Sequence, residues 1–172
     1  MANNPLVAEG KVAWVYRHFP LDGLHRNARR EAHATECAAE LGGNEGFWDF
    51  INSVYEITES NDGLDLSILP DIAEEVGIDR EKFIECQSSD RHADIIKFHE
   101  EDAVTSGGTG TPHTVLLTSS GETFTLPGLV EEPTLNILAE VIVAGVEEGL
   151  SYEEMVLNLQ TEFQKAQEEG RL

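Results

Sequence analysis

The most reactive side chains in this sequence are its two cysteines, Cys37 and Cys86. No CxxC occurs in the chain, so the spacing of a redox-active dithiol and of a paired zinc motif is absent. A catalytic thiol needs a neighbour that favours the thiolate, and neither cysteine has another cysteine close to it in sequence. We therefore predict no catalytic residue and no dithiol oxidase activity in the chain as written.

A histidine adds a second candidate chemistry at one of these cysteines. His33 and Cys37 are spaced four residues apart, which places them on one face of a helix. With Cys86 and another histidine they have the ligand types of a zinc site. Nothing in the sequence fixes the fourth ligand, so we favour ordinary helix packing and predict no metal and no cofactor. His92 and His99 are seven residues apart and are expected on a solvated helix face.

A glycine-rich turn leads into a β-rich run at residues 107–117, GGTGTPHTVLL. Proline cannot donate to a strand ladder, so Thr111-Pro112 is expected at the start of a strand. His113 follows the proline, where it either borders a peptide groove or is a strand residue with no special role. This turn is therefore a second candidate site, in addition to the cysteines.

Composition excludes some classes of partner. The 172 residues carry a formal net charge of −22, from 33 acidic and 11 basic residues. This charge argues against binding nucleic acid or an anionic membrane through a basic surface. The sequence has no apolar run of membrane-spanning length. The start, MANNPLVAEGK, lacks the features of a secretory signal peptide.

Hydrophobic periodicity predicts an α/β order of strand, helices, hairpin and helix. A strand is expected over Lys11–His18, after a helical turn that begins at Asn4-Pro5. A loop is expected over Ser60–Gly63. The remaining expected elements are helices over His25–Leu41, from Asn44, over Asp65–Val76, from Asp79 and over Arg91–Thr105, hairpin strands over Thr114–Thr118 and Glu122–Leu126, and helices over Pro133–Gly145 and Ser151–Gly170. Asp65, Asp79 and Ser151 are expected to cap their helices, and Ser151 forms a predicted capping box with Glu154.

Four stretches in register resemble the DsbA-like thiol-disulfide oxidoreductases, which have a thioredoxin fold interrupted by a helical domain. They are WVYRHFPL (14–21), AHATECAAELGGNEGFWDF (32–50), EEVGIDREKFIEC (74–86) and GTGTPHTVLL (108–117). The resemblance implies an incomplete thioredoxin-like fold with an inserted all-helical subdomain and an extra C-terminal helix. Residues 1–23 and 106–150 would be the thioredoxin-like part, 24–105 the helical insertion, and 151–172 the extension.

The same resemblance implies roles for four residues. In the family the bond between threonine and proline at this turn is cis, and the residue before the proline pairs with a substrate peptide. Thr111 and Pro112 would thus bind a protein or peptide substrate. Cys37 and Cys86 lie where family members often carry cysteine, and two outcomes are open: a structural disulfide between helices or two buried free thiols.

This sequence departs from the family at its start. The family's first strand, in the middle of the sheet, and the CxxC that follows it have no counterpart here. At best, residues 1–8 match the end of the first family helix. Three explanations are open: a longer natural chain, direct pairing of the two neighbouring strands, or a homodimer that completes the sheet.

The functional expectation follows from both observations. The chain is expected to be a DsbA-like protein of the thiol-disulfide oxidoreductase family, without dithiol activity as written. The alternative is a non-catalytic, dimeric or peptide-binding thioredoxin-fold protein. Family members are typically periplasmic or otherwise extracytoplasmic, and the sequence itself predicts no localisation.

Overall fold

The computed structural model describes residues 4–59 and 61–172, which divide into two compact units. One unit contains Met1–Tyr16 and Ser106–Leu172, and the other contains Arg17–Thr105. The expectations for residues 1–3 and for Ser60 lie outside the described residues. No helix in the described ranges is long and apolar enough to cross a membrane.

The unit Arg17–Thr105 is all helical. It consists of α2 (Ala28–Ile57), a 3₁₀ turn (Leu66–Ile68), α3 (Leu69–Glu75), α4 (Arg80–Gln87) and α5 (Ala93–Thr105). Gly43 interrupts the helical geometry of α2 with φ +65° and ψ −158°, at the place where the sequence predicts a break. A left-handed φ of this kind favours glycine because it has no Cβ.

Two predicted caps begin elements of this unit. The Asp65 carboxylate accepts a hydrogen bond from the Ser67 N–H at 2.9 Å. The Asp79 carboxylate accepts one from the Lys82 N–H at 3.0 Å, at the start of α4. Each bond satisfies an N–H group that has no partner within its own helix.

The core of the helical unit forms where α2, α3 and α4 meet. The rings of Phe50 and Phe83 are both fully buried, with centroids 5.3 Å apart. Burial of such side chains stabilises the fold by roughly 1.5–3 kcal/mol each. The buried cluster also includes Ala34, Cys37, Ala38, Leu64, Leu69, Ile72, Ala73, Ile78 and Cys86.

The other unit combines a short helix, α1 (Pro5–Ala8), with a hairpin and two helices. The hairpin strands are β1 (His113–Leu117) and β2 (Thr123–Pro127), and the helices are α6 (Glu132–Glu148) and α7 (Tyr152–Glu168). As expected, Asn4 and Pro5 start this helical turn: Asn4 caps α1, and its side chain accepts a hydrogen bond from the Leu6 N–H at 2.9 Å. The buried residues of this unit's core are Phe124, Leu135, Leu138, Ile142, Met155 and Leu159.

Two features fix the turn between α6 and α7. Gly145 lies so close to α7 that an added Cβ would stand 2.6 Å from Cγ of Met155. The predicted capping box is present: the Ser151 N–H donates to the Glu154 carboxylate at 2.8 Å, and the Glu154 N–H donates to the Ser151 Oγ at 3.4 Å. The extra C-terminal helix of the sequence prediction is therefore confirmed.

The prediction of a strand over Lys11–His18 is wrong, because the structure has no strand in this segment. No part of that segment pairs in a sheet, and the hairpin of β1 and β2 is the complete sheet of the described ranges. The physical reason is that β propensity marks a segment that fits a sheet but does not supply a neighbour. Direct pairing of this segment with β1, one of the three explanations above, is also absent. Trp14 and Val15 are exposed instead.

Candidate functional site

A hydrogen bond joins the loop before β1 to the residue that follows β2, at the end of the hairpin opposite its turn. The Thr111–Pro112 peptide bond is cis. The carbonyl of Pro112 accepts a hydrogen bond of 2.9 Å from the Gly128 N–H, which extends the ladder by one pair. Thr111 and Pro112 are both exposed at this end of the hairpin. The loop therefore presents these two residues to solvent from a fixed position.

A small pocket lies between this loop and the end of β2. It is lined by residues 109–113 together with Pro127 and Gly128, and its volume is about 130 Å³. Pockets for cofactors or drug-sized ligands are larger, roughly 300–1,000 Å³. The pocket therefore suits a single side chain better than a whole small molecule.

His113 lies at the edge of this pocket and begins β1. Its Nε2 is 3.0 Å from the Ser106 Oγ, and its side chain is partly buried. This contact orients the imidazole against the segment that precedes the loop. His113 therefore is the first residue of β1 and also lines the pocket.

The hydrogen-bond register leaves one edge of β1 open. Pro112 pairs with Gly128 and Thr118 pairs with Glu122, in an antiparallel register that sets Val115 opposite Thr125. Antiparallel ladders alternate between hydrogen-bonded and non-hydrogen-bonded pairs. The backbone groups of His113, Val115 and Leu117 consequently point away from β2, and no further strand joins β1 in the described part of the chain.

The two cysteines lie in the helical unit and form a disulfide. Cys37 in α2 and Cys86 in α4 are bonded, with Cα atoms 5.8 Å apart. Both residues are fully buried. Of the two outcomes left open by the sequence, the structure has the bonded one. The disulfide is a cross-link between helices, and its sulfurs are buried while α2 and α4 are fully folded.

A second polar cluster in the helical unit joins His18, Glu36 and His99. The ring Nε2 of His18 is 3.0 Å from the Glu36 carboxylate, and the backbone N–H of His18 donates to Nδ1 of His99 at 3.4 Å. The hydrogen bond from His18 holds the pKa of the Glu36 carboxyl below its usual value, against the opposing effect of burial. Burial, followed by the charges of His18 and Arg17, lowers the pKa of His99.

The sequence did not predict these histidine environments. The expectation of a solvated face for His92 and His99 is wrong, since the His92 side chain is 16% exposed and His99 is partly buried. Both residues face α2, where Glu36 and Glu40 stand four residues apart. The available signal in the sequence was the pair of glutamates four residues apart on the predicted helix, which could accept hydrogen bonds from histidines of another segment.

The two units together define the class of protein. A helical insertion interrupts a part with an antiparallel hairpin, a proline at the start of its first strand and a closing helix, which is an incomplete thioredoxin-like fold of the DsbA type. The predicted fold class is therefore confirmed.

A particular solved structure agrees with this class. The chain is similar to the crystal structure of Pseudomonas aeruginosa DsbA2, with 29% sequence identity and a TM-score of 0.58. The match covers 70% of this chain and 66% of that one, so it spans just under two thirds of the length of that protein. No family model and no curated protein matches the sequence. The resemblance to the DsbA-like family is confirmed by the structural match.

Proposed function

We propose that this chain is a DsbA-like protein that binds an extended segment of a protein substrate, and that it has no dithiol activity as written. The segment would lie along the open edge of β1, with Thr111 and Pro112 at one end. The single observation that supports this proposal most is the outward direction of the backbone groups of His113, Val115 and Leu117.

An open strand edge binds peptides because main-chain hydrogen bonds do not depend on sequence. Addition of a strand to such an edge supplies affinity through the backbone and selectivity through pockets for alternate side chains. The pocket of about 130 Å³ beside Thr111 and Pro112 provides one such position. Such tolerance of sequence suits a protein that binds extended segments of different protein substrates.

The absence of dithiol activity rests on thiol chemistry. Thiol–disulfide exchange requires a thiolate that attacks a disulfide sulfur. The sequence has only Cys37 and Cys86, and these are bonded to each other and fully buried. A substrate held at β1 therefore meets no thiolate supplied by this chain.

Charge should select among extended peptides. The net charge of −22 attracts basic segments and repels acidic ones over a distance set by the ionic strength. The test is a titration of the purified chain, at low and at physiological salt, with two unstructured peptides of equal length, one rich in lysine and one rich in glutamate. Saturable binding of the basic peptide supports the proposal, and no binding of either peptide contradicts it.

A second candidate function uses the same edge for a homodimer. Val115 and Leu117 are exposed on β1, at 38% and 71%. Exposed strand edges pair with other copies of the same strand. Pairing of β1 with β1 of a second copy would complete a longer sheet, and sedimentation at several protein concentrations tests it. A chain that remains monomeric at the highest salt, where charge repulsion is screened, argues against the dimer.

A further inference from the structure

The two disulfide sulfurs and one histidine of the helical unit form a cluster of potential metal ligands, and a second histidine lies beside one of the sulfurs. The Sγ atoms of Cys37 and Cys86 and a ring nitrogen of His92 lie within 4.8 Å of one another. The Nδ1 of His33 is 3.8 Å from the Cys37 Sγ. The rings of His33 and His92 lie side by side, with centroids 5.5 Å apart. Two sulfurs and two imidazoles are the ligand set of a tetrahedral zinc site.

The unused nitrogens of both imidazoles support a metal role. The Nε2 of His92 is 2.9 Å from the Glu40 carboxylate, which leaves Nδ1 of that ring for another ligand. Metal-bound histidines usually have such a carboxylate on the other ring nitrogen. The Nε2 of His92 approaches Glu40 without the alignment of a hydrogen bond, and the Nε2 of His33 is likewise buried with no hydrogen-bond partner among the described residues. A buried nitrogen without a partner is costly unless a ligand satisfies it.

We propose that reduction of the Cys37–Cys86 disulfide converts this cluster into a Zn²⁺ site with Cys37, Cys86, His92 and His33 as ligands. The oxidised form cannot bind the ion, because a disulfide sulfur carries no negative charge. In a tetrahedral zinc site with bonds of about 2.3 Å the two sulfurs stand about 3.8 Å apart, so the covalent bond must be broken first.

The chemistry balances with a dithiol as the reductant. A dithiol gives two electrons and two protons to the Cys37–Cys86 bond and becomes a disulfide itself, which leaves two thiols in the protein. Binding of Zn²⁺ then displaces the two thiol protons to solvent. The resulting site, one dication with two thiolates and two neutral imidazoles, has no net charge. This neutrality suits a buried position, where an uncompensated charge is costly.

The position of Cys86 gives a reductant a way in. Cys86 is the residue before the last of α4 (Arg80–Gln87), a helix of only eight residues. Opening of one helical turn at this end exposes the sulfur, and ends of short helices open more readily than core segments. The structural cross-link and the metal site are thus two alternative states of the same four side chains.

The experiment compares the full chain in its oxidised and reduced forms. The protein is treated with a phosphine reductant, its thiols are counted after denaturation, and its helical circular dichroism is recorded. Both forms are then incubated with Zn²⁺, desalted and assayed for bound metal. We expect about one zinc per reduced chain and almost none per oxidised chain. The oxidised form carries the same carboxylates, so it controls for adventitious binding to the acidic surface.

Cobalt and single variants identify the ligands. Co²⁺ in the reduced protein should show the d–d bands of tetrahedral cobalt and a thiolate-to-cobalt charge-transfer band. His92→Ala and His33→Ala should each weaken zinc binding at least tenfold, whereas His25→Ala, outside the cluster, should not. Any of four results would overturn the proposal: a disulfide that resists reduction in the folded protein, loss of helical signal on reduction, equal zinc content in both forms, or a His92→Ala protein that binds zinc like His25→Ala.

Discussion

Val115 and Thr125 stand opposite each other as a non-hydrogen-bonded pair of the hairpin, so their backbone groups point to opposite outer edges. The N–H and C=O of Val115 face the open edge of β1, and those of Thr125 face the outer edge of β2. The two residues therefore offer a matched pair of positions. A change at either leaves the hydrogen bonds between β1 and β2 intact and alters one edge at a time.

Proline at these two positions should separate edge binding from hairpin stability. Val115→Pro removes an outward N–H from the edge proposed to bind a peptide, while Thr125→Pro removes its counterpart on the other edge. We expect Val115→Pro to lower the affinity for a basic extended peptide at least tenfold, and Thr125→Pro to leave it nearly unchanged. Isothermal titration measures both. Equal losses in the two variants, with their circular dichroism unchanged, would contradict binding at β1.

The chain should be inactive as a dithiol reductase or oxidase. In an insulin-reduction assay with a dithiol, turbidity should develop at the rate of the protein-free control, because the sequence has no CxxC and both of its cysteines are buried. Cys37→Ser should give the same rate as the unsubstituted chain. A rate clearly above that control, lost in Cys37→Ser, would show that this disulfide is catalytic.

The disulfide should contribute strongly to stability. It closes a loop of 49 residues between α2 and α4. In the chain-entropy account, a cross-link of this span stabilises a protein by about 4 kcal/mol. Urea unfolding of the double variant Cys37→Ala, Cys86→Ala should therefore show a loss of roughly 2–5 kcal/mol. A loss below about 1 kcal/mol would mean that packing alone holds the helices together.

Two adjacent residues of α4 should differ sharply in their cost to stability. Phe83 is fully buried against Phe50, whereas Ile84 is 41% exposed. Phe83→Ala should lower the free energy of unfolding by about 3–5 kcal/mol through lost burial and a cavity. Ile84→Ala, in the same helix, should cost about 1 kcal/mol or less. Chemical denaturation of both variants checks the packing assigned to α4, and similar losses would refute it.

The cluster of His18, Glu36 and His99 should make stability depend on pH. Burial and the charges of His18 and Arg17 lower the pKa of His99, while Glu36 and Asp102 act in the opposite direction. The folded state then binds fewer protons than the unfolded state, in which the pKa is about 6.5. The contribution of His99 to the free energy of unfolding is therefore complete above about pH 6.5. It is lost as the pH falls from about 6.5 through the lower pKa of His99 in the folded state.

A substitution isolates this contribution. His99→Gln should flatten the fall in unfolding free energy on the acidic side of about pH 6.5, measured by denaturation at a series of pH values. His25→Gln controls for the loss of a histidine outside the cluster. An unchanged slope in His99→Gln would remove His99 as the cause. The depressed pKa of Glu36 acts lower on the pH scale, where its stabilisation is lost on acidification through its folded pKa.

Local signals made much of the fold predictable. The Asp79 cap, the break at Gly43 and the capping box of Ser151 and Glu154 each depend on a few neighbouring residues, and each appears where the sequence places it. The strand over Lys11–His18 failed because a strand exists only with a partner, and residues near in sequence do not determine that partner.

The candidate sites depend more on tertiary contacts. The substrate-binding role of Thr111 and Pro112 is predicted by the resemblance alone. Local sequence could not indicate the pocket beside them, because it forms only where Gly128 meets Pro112. Spacing on α2 indicated that His33 and Cys37 share a face, but no local pattern indicated that His92 joins them. Contacts between distant helices follow from packing of the whole unit.

The most direct test of the proposed function follows individual backbone amides. Amide hydrogen exchange by NMR, with and without the basic peptide, reports on the outward N–H groups of His113, Val115 and Leu117. We predict that these three amides become protected on binding, while the amides of Thr123 and Thr125 on the opposite edge keep their exchange rates. Saturable binding without protection at β1 would contradict strand addition at this edge.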